Sequence, residues 1–528
     1  MRTSLPRTLR QLSRNATKLN IPCCRASGAR WSSTGSEDEG HRWSTPLAKQ
    51  LTEAITTTGP IPVASYMRQC LTSDLGGYYT TTAPSETDQF GAEGDFVTSP
   101  EISQIFGELI GLWVVAEWIA QGRKSEGVYL MEMGPGRGTL MDDMLRTIRN
   151  FPPFAKAIEA VYLVEASRNL RLAQHKLLCG GNPLSENGIG HESTSKHSKD
   201  LKIIWTEDIR FVPREASKTP FIIAHEFFDA LPIHVFQSVP PAPPPSQQQQ
   251  QDTIQTPTGP NPSPRRIPKT NEWRELVVSP KPPHKLKADE PEFELTMAKA
   301  ATPHSMYLPE ISPRYQALKS TDGATIEVSP ESQAYTLDFA IRIGGANPAP
   351  PIQHSPPAAT KSPHRTIPSA PKAQRFLKPH PSGAALIIDY GPASTIPANS
   401  LRGIKAHSRV SPFLSPGTTD VSADVDFLAL AEAAVNGSPG VEVHGPVSQG
   451  RFLGAMGIRE RAGQLVGRAG EVDREVVERV ESGWRRLVDL GPQGMGGLYQ
   501  VMAFVPFRPV GEGEVRRRPV GFGGDVKA

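Results

Sequence analysis

The residues of this chain best suited to chemistry begin with an acid followed by glycines at alternate positions. Glu132 ends an apolar run, and Gly134, Gly136 and Gly138 follow it before a helical pattern begins. Glycines at this spacing let the backbone turn sharply and leave room for a ligand against the main chain. A carboxylate at the end of a strand suits a cationic amino group. The segment predicts a nucleotide-type binding turn, and the alternative is a glycine-rich strand–helix turn with an incidental acid.

Acids after the next two strands extend this pattern. Glu165 ends the apolar run 160–165, and Asp208 follows the run 202–205. In doubly wound folds the acid at the end of the second strand binds ribose hydroxyls, which makes Glu165 the predicted ribose ligand. Asp208 is the candidate for contact with an adenine amino group, with a plain solvated turn as the alternative.

A histidine and two further acids follow a fourth strand, 221–224. His225, Glu226 and Asp229 would lie at the ligand edge of a parallel sheet, beside aromatic rings. A pair of carboxylates can clamp a guanidinium by bidentate hydrogen bonds and orient it for reaction. We therefore predict Glu226 as the clamp, with Asp229 and then His225 beside it. The alternative is a helix start in which Asp229 pairs locally.

A later cluster of acids, Asp420, Asp424 and Asp426, raises the question of a metal site. The cluster lacks the glycine and the terminal glutamate of a calcium-binding loop. We predict no metal here, and helix capping by Ser422 is the favoured interpretation.

Alternating strands and helices must position these residues. The predicted strands are near-continuous apolar runs, typical of a parallel sheet covered on both faces. They are 128–133, 160–165, 202–205, 221–224 and 384–389, with a final pair, 441–443 and 499–505, on either side of a helix near 471–490. The predicted fold class is α/β, a doubly wound sheet preceded by a helical segment and carrying an insertion between strands 4 and 5.

The insertion contains proline-rich stretches with too little apolar content for a core. The stretches 239–271, 279–291 and 344–382 are predicted to be disordered. Between them, 273–278 and 324–328 are predicted to pair as strands. This part of the chain could stand over the carboxyl ends of the sheet strands, where substrates bind.

The N-terminus has the composition of a mitochondrial transit peptide. Residues 1–36 contain seven Lys and Arg and no acid, and they are rich in Ser and Thr. A disordered basic tail is the alternative. Loss of this segment would turn the formal net charge from +3 to a mildly negative value, so charge gives no case for nucleic-acid binding. No apolar run reaches membrane-spanning length, because Glu108 and Glu117 interrupt the best candidate, 105–120.

Five motifs occurring in order carry a family resemblance. The motifs lie at 94–103, 132–140, 226–232, 388–391 and 422–427. Together they resemble the MidA-type family of methyltransferases that use S-adenosylmethionine (SAM). The resemblance implies a class I methyltransferase fold and SAM as the cofactor, with Glu132 at the amino group of its methionine moiety. Relatives commonly have Asn at the position of His225, and histidine keeps the capacity to donate and accept hydrogen bonds.

Mitochondrial members of this family are similar to a protein-arginine methyltransferase that acts in complex I assembly. The resemblance therefore implies a type II enzyme, which dimethylates symmetrically an arginine on a peripheral-arm subunit of complex I in the mitochondrial matrix. A SAM-binding assembly chaperone without essential turnover and a small-molecule methyltransferase are the alternatives. A dinucleotide oxidoreductase is disfavoured by the glycine spacing and by Glu132. The sequence assigns no oligomeric state.

The expected domain organisation follows from these assignments. It comprises a transit peptide and leader at 1–43, an N-terminal helical segment at 44–124, a Rossmann-like SAM-binding part at 125–238, a substrate-side insertion at 239–383, the C-terminal part of the methyltransferase fold at 384–507 and a tail at 508–528.

Overall fold

The structure is a computed structural model. It describes residues 43–80, 95, 97–240, 253–256, 259–262, 270–282, 290–346, 376–469, 473–492, 494–511 and 515–523. All of these belong to one unit, Trp43–Ala528. The predicted transit peptide lies outside the described residues, as do most of the stretches predicted to be disordered.

The helices are listed in chain order. They are α1 (Pro46–Thr58), α2 (Val63–Thr72), α3 (Ser99–Ile102), α4 (Gln104–Ala120), α5 (Thr139–Ile148), α6 (Pro152–Ala157), α7 (Arg168–Cys179), α8 (Pro303–Tyr307), α9 (Pro313–Leu318), α10 (Pro330–Gly344), α11 (Phe427–Gly437), α12 (Gln449–Ala455), α13 (Ile458–Ala469) and α14 (Arg474–Val488).

The strands follow in the same way. They are β1 (Ile61–Pro62), β2 (Val128–Met133), β3 (Ile158–Val164), β4 (Ser185–Asn187), β5 (Gly190–Thr194), β6 (Lys202–Thr206), β7 (Thr219–His225), β8 (His234–Val239), β9 (Thr253–Thr256), β10 (Gly259–Pro262), β11 (Glu272–Pro280), β12 (Phe293–Met297), β13 (Thr325–Val328), β14 (Ala384–Tyr390), β15 (Arg402–Lys405), β16 (Ser408–Val410), β17 (Asp420–Ser422), β18 (Val441–Ser448) and β19 (Tyr499–Pro506).

The central sheet has the order β18-β19-β14-β7-β2-β3-β6-β5-β4. The strands from β14 to β6 are parallel, whereas β19 runs antiparallel to β14. Every residue of β2, β7 and β19 is buried, as expected for strands covered on both faces. This arrangement confirms the predicted class I methyltransferase sheet. The hairpin β4–β5, which extends the sheet beyond β6, was not foreseen.

Helices pack on both faces of the sheet. One apolar cluster joins α4 and α5 to one face, and a second joins α10 and α11 to the other. Glu108 and Glu117 of α4 are buried, and each is paired with an arginine: Glu108 with Arg461, whose Nε lies 2.7 Å from Oε2, and Glu117 with Arg517. No helix among the described residues combines the length and the apolar character needed to cross a membrane.

The insertion between β7 and β14 forms a second sheet together with β1 of the N-terminal segment, with the order β1-β11-β8-β13, and β12 also pairs with β11. The predicted direct pairing of 273–278 with 324–328 is wrong. Strand β8 lies between β11 and β13 and pairs antiparallel with both. Its residues are all buried or half-buried. Strands β9 and β10 also form a hairpin within 239–271, a stretch predicted to be disordered.

Candidate active site

A cleft lies at the carboxyl ends of β2, β3 and β7. It has a volume of about 330 Å³. Its lining includes most of the sequence-predicted site residues, namely Glu132, Gly134, Gly136, Glu165, His225 and Glu226. Among the described residues that line this cleft, Gly138, Asp208 and Asp229 do not appear. The cleft therefore collects residues from the ends of β2, β3 and β7, at the edge where ligands of doubly wound sheets bind.

The turn after β2 depends on glycine. Gly134, Gly136 and Gly138 have φ values of +56°, +53° and +85°, which L side chains rarely adopt. A Cβ atom at Gly134 would also stand 3.1 Å from Cδ2 of Phe227. The glycine turn thus brings the main chain close to the loop after β7 and begins α5 at Gly138.

Glu132 is a buried acid with an unused oxygen. Its relative exposure is 3%, and its Oε2 has no hydrogen-bond partner among the described residues. Burial, with a further contribution from Glu165, raises the pKa of Glu132 to about 8. A buried carboxylate oxygen is costly without a partner, and a cationic ligand group would supply one. The carboxylate fits the ammonium group of a SAM methionine moiety.

Glu165 is held in place by its surroundings. Its Oε1 accepts a hydrogen bond from the Ser167 backbone N–H at 2.8 Å, and its Oε2 accepts one from Nε2 of Gln174 at 3.1 Å. Burial raises the pKa of Glu165 to about 7, although these hydrogen bonds oppose the change. The carboxylate is therefore oriented before any ligand arrives.

Gln174 joins the two halves of this site and was missed by sequence reasoning. Besides Glu165, its Nε2 donates to the Gly136 carbonyl at 2.6 Å, and its Oε1 accepts from Nε1 of Trp205 at 3.0 Å. One buried amide thus fixes the glycine turn and the second acid together. One feature of the sequence points to Gln174: it lies four positions before Leu178, which places both side chains on the same buried face of α7.

Asp208 is paired with Arg210 and is not among the described residues that line the cleft. Its carboxylate pairs with Arg210, accepting from Nε at 2.9 Å and from Nη2 at 2.8 Å, and its Oδ1 also accepts from the Arg210 backbone N–H. Hydrogen bonding to Arg210 lowers the pKa of Asp208. Among the described acids that follow β6, Glu207 is the one that lines the cleft.

Glu226 follows β7 in a strained conformation. Its φ is +50°, and a non-glycine residue in that region costs of order 1–3 kcal/mol and is often found at a functional site. Its Oε1 accepts a hydrogen bond from the Tyr499 hydroxyl at 2.8 Å, and its carboxylate also accepts from the Ser99 backbone N–H. Burial raises the pKa of Glu226 to about 8. The carboxylate is held from β19 on one side and α3 on the other.

Asp389 supports the loop that carries Glu226. Its Oδ2 accepts from the backbone N–H groups of Phe227 at 3.0 Å and Phe228 at 2.7 Å. Asp389 is fully buried, and burial raises its pKa well above the usual range. The carboxylate of Asp389 therefore shapes the turn after β7, and the next residue, Tyr390, lines the chamber beside the cleft.

His225 is a buried, neutral neighbour of Glu226. Its Nε2 lies 3.4 Å from Oε1 of Glu226 without forming a hydrogen bond. Burial lowers the pKa of His225 to about 3. The ring lies nearly parallel to that of Tyr499, with centroids 6.3 Å apart, and its centroid is 5.0 Å from that of Phe106. The side chain therefore contributes no positive charge at neutral pH.

A second chamber adjoins the cleft. It has a volume of about 300 Å³ and shares Tyr79, Glu226 and Ala230 with the cleft. Asp229 lines this chamber, together with Asp420. Glu226 therefore lies between the cleft and the chamber, whereas Asp229 lines the chamber and not the cleft.

The chamber is lined by more acidic than basic side chains. The Tyr79 hydroxyl donates to Oδ1 of Asp420 at 3.0 Å, and burial, followed by the charge of Asp229, raises the pKa of Asp420 to about 7. Arg402 also lines the chamber, but its Nη1 is held 2.5 Å from Oδ1 of Asp424. The lining has four carboxylates against the two arginines Arg402 and Arg486, and the charge of Arg402 also acts on Asp229. The excess of carboxylates suits a cationic group.

The three acids that raised the question of a metal have separate roles. Asp420 lines the chamber, Asp424 pairs with Arg402, and Asp426 caps α11 by accepting from the Ala429 backbone N–H at 3.1 Å. The predicted helix cap, Ser422, lies instead in β17. Asp426 is the cap because it immediately precedes the first helical residue.

A doubly wound sheet of this strand order, with a glycine turn and strand-end acids at its ligand edge, defines a class I SAM-dependent methyltransferase. The chain belongs to the family described as putative S-adenosyl-L-methionine-dependent methyltransferase, whose model matches residues 109–447. SAM is accordingly its cofactor, and the unpartnered Glu132 oxygen beside the glycine turn fits it.

Similar proteins extend over most of the chain. The protein arginine methyltransferase NDUFAF7, mitochondrial, of Rattus norvegicus is 32% identical over 481 residues, which are 90% of this chain and 87% of the relative. The protein of that name from Homo sapiens is 32% identical over 476 residues, 90% of this chain and 86% of the relative. These relatives support a mitochondrial location for this chain.

A solved structure shares the fold. It is a protein from Burkholderia thailandensis crystallised with S-adenosyl-homocysteine, and it matches with a TM-score of 0.57 at 20% identity. The match covers 88% of this chain and 92% of that chain. The central sheet is therefore shared with a protein whose sequence has diverged widely.

Proposed function

We propose that this protein is a type II protein-arginine N-methyltransferase, which transfers methyl groups from SAM to the guanidinium group of an arginine in a protein. The observation that carries the proposal is the acid-rich chamber that meets the SAM cleft at Glu226. A guanidinium is the side-chain cation best matched to paired carboxylates. The similar proteins named protein arginine methyltransferases support the same acceptor.

The chain's own residues would share the work as follows. When bound, SAM supplies an electrophilic methyl group. Glu132 would hold the ammonium group of SAM, and Glu165 would hold its ribose. The main chain of the turn at 134–138 would lie against the bound cofactor. Of the two acids after β6, Glu207 is better placed than Asp208 to meet the adenine, since it lines the cleft.

Acceptor positioning falls to the loop after β7. Glu226 would clamp the guanidinium at the boundary of the two spaces, and Asp229 would hold its far side. A carboxylate there orients one nitrogen toward the cleft and can accept the proton that this nitrogen loses. Tyr499 would act as a positioning residue, because its hydroxyl fixes the Glu226 carboxylate. His225, being neutral, would serve as the wall behind that carboxylate.

The proposed substrate is a peripheral-arm subunit of complex I in the mitochondrial matrix, methylated as a requirement for complex I assembly. Support comes from the family resemblance and from the mitochondrial names of the relatives. A protein acceptor also suits the insertion, whose second sheet begins directly after the acceptor loop.

A Glu226→Gln variant tests the proposal. We expect affinity for S-adenosyl-homocysteine, measured by calorimetry, to stay within about threefold, because Glu132 and Glu165 are untouched. Transfer of labelled methyl groups from SAM to mitochondrial extract protein should fall about 100-fold or more, because the clamp and proton acceptor are lost. Glu478→Gln, at an exposed position of α14, is the matched control and should behave as the wild type.

The alternatives have distinct outcomes in the same experiment. Label that enters small metabolites instead of protein would indicate a small-molecule methyltransferase. Complex I assembly restored by Glu226→Gln without any methylation would indicate a chaperone that binds SAM without needing turnover.

A further inference from the structure

The insertion sheet brings together two histidines and a glutamate. His234 begins β8, Glu275 lies in β11 and His304 lies in α8. Each offers one ligand atom, and these atoms all lie within 4.8 Å of one another. Two imidazole nitrogens and a carboxylate oxygen form a ligand set that divalent transition metals accept in proteins.

We propose that His234, Glu275 and His304 bind a divalent transition-metal ion, with Zn²⁺ as the best match and a fourth position open to solvent. The site lies outside the cleft and the chamber and does not depend on the proposed function.

The charge of Glu275 favours an ion here. The residue is fully buried, and its only ion-pair partners among the described residues are the two histidines. Neither partner is a lysine or an arginine, so these contacts give the buried carboxylate no permanent countercharge. A divalent cation between the three side chains would provide it.

The distances also fit shared coordination. Nδ1 of His234 is hydrogen-bonded to Oε1 of Glu275 at 2.7 Å, a contact that an ion would replace, and Nδ1 of His304 lies 3.7 Å from Oε2. The second separation is too long for a hydrogen bond. Ligands about 2.0–2.1 Å from a tetrahedral zinc ion stand roughly 3.3 Å apart, so small side-chain shifts would satisfy the ion. The centroids of the two imidazole rings are 4.2 Å apart, so both rings can reach the same ion.

The surroundings supply an outer partner and an entry path. The Thr302 hydroxyl donates to Oε2 of Glu275 at 2.5 Å, as outer-shell groups do to ligating carboxylates. The His304 side chain is 48% exposed, whereas that of Glu275 is 1% exposed. An ion can therefore enter from solvent past His304 and would fasten α8 to the sheet.

Metal binding to the full-length protein tests this inference. After treatment with a chelator and dialysis, titration with Zn²⁺ should show about one ion bound per chain. Co²⁺ should give the visible absorption of a tetrahedral site. His304→Ala should lose stoichiometric binding, and Thr302→Val should weaken it about 10- to 100-fold. His380→Ala, which removes another exposed histidine, should bind as the wild type does.

Folding is checked separately, by circular dichroism and by binding of S-adenosyl-homocysteine in each variant. The inference is overturned if the folded wild type binds no Zn²⁺, if His304→Ala binds it as the wild type does, or if His380→Ala loses it as well.

Discussion

At the scale of single residues, the cleft is arranged around acids that are protonated more readily than usual. Glu132 and Glu165 have pKa values raised to about 8 and about 7, chiefly by burial. A cationic ligand group would favour their ionised forms and lower these pKa values. Ligand binding and proton release are therefore linked.

The first prediction concerns this linkage. Binding of S-adenosyl-homocysteine at about pH 7 should release protons, because its ammonium group replaces the proton of Glu132. Calorimetry in buffers of different ionisation enthalpy should report the release, and affinity should rise from about pH 6 to about pH 8. Glu132→Gln should bind more weakly and release fewer protons. An observed enthalpy that does not change with the buffer would refute the placement of the ammonium group at Glu132.

A second prediction concerns the glycine turn. Gly134→Val should weaken S-adenosyl-homocysteine binding about tenfold or more, because valine at a φ of +56° is strained and its side chain would meet Phe227. Calorimetry measures the loss, with circular dichroism as the check on folding. Gly181→Ala is the control, since an added Cβ there has open space. Normal affinity in Gly134→Val would contradict the position assigned to the turn.

At the scale of elements, sequence patterns located the central strands well. The strands β2, β3, β6, β7 and β14 were predicted to within a few residues, because each is an apolar run bounded by polar or turn residues. Strand β8 was not predicted although it is as long as β2, and the hairpin β4–β5 was not predicted either, because the partners of these strands are set by tertiary packing. A wrong strand pairing in the insertion followed directly from the missing β8.

The close packing of α4 on α5 gives a third prediction. A Cβ atom added at Gly107 would lie 2.5 Å from Cβ of Asp143 on α5. Gly107→Ala should therefore lower the free energy of unfolding by about 1–3 kcal/mol, measured by denaturant titration. Gly463→Ala on α13 has open space and should change stability by under about 1 kcal/mol, in the stabilising direction. Equal stability of the two variants would show that α4 and α5 are not in close contact.

At the scale of the whole molecule, the site is assembled from distant parts of the chain. Tyr499 donates to Glu226 across 273 positions of sequence, and Gln174 joins the glycine turn to Glu165. The motifs predicted the acids themselves, because strand ends in this fold share one edge. The Tyr499 hydroxyl could not be predicted, since nothing near it in sequence marks Glu226 as its partner. The spacing of Gln174 from Leu178 indicates a buried position in α7 but does not identify the groups that the amide contacts.

A fourth prediction is the dependence of global stability on pH. Glu132 and Glu226 have folded-state pKa values raised from 4.5 to about 8 by burial, so the folded state holds protons that the unfolded state has lost. Their contribution to stability is complete below about pH 4.5 and is lost as pH rises to about 8. The ligand-free protein should thus become less stable over that range in denaturant titrations.

Variants separate the contribution of Glu132 to the pH dependence of stability from the contributions of other titrating groups. Glu132→Gln should be more stable than the wild type at about pH 8, by about 1–3 kcal/mol, and nearly equal to it at about pH 5. Glu478→Gln should match the wild type at both pH values. A constant difference between Glu132→Gln and the wild type across this range would show that the acid is not protonated in the folded state.

The wall shared by the cleft and the chamber has a consequence for inhibitor chemistry. Only a few side chains, including Tyr79 and Glu226, separate the two spaces. On the proposed function, a bisubstrate compound, with adenosine joined through a short linker to an alkylguanidine, would occupy both at once. Tethering raises the effective concentration of the second group, so such a molecule should bind far more tightly than either half alone.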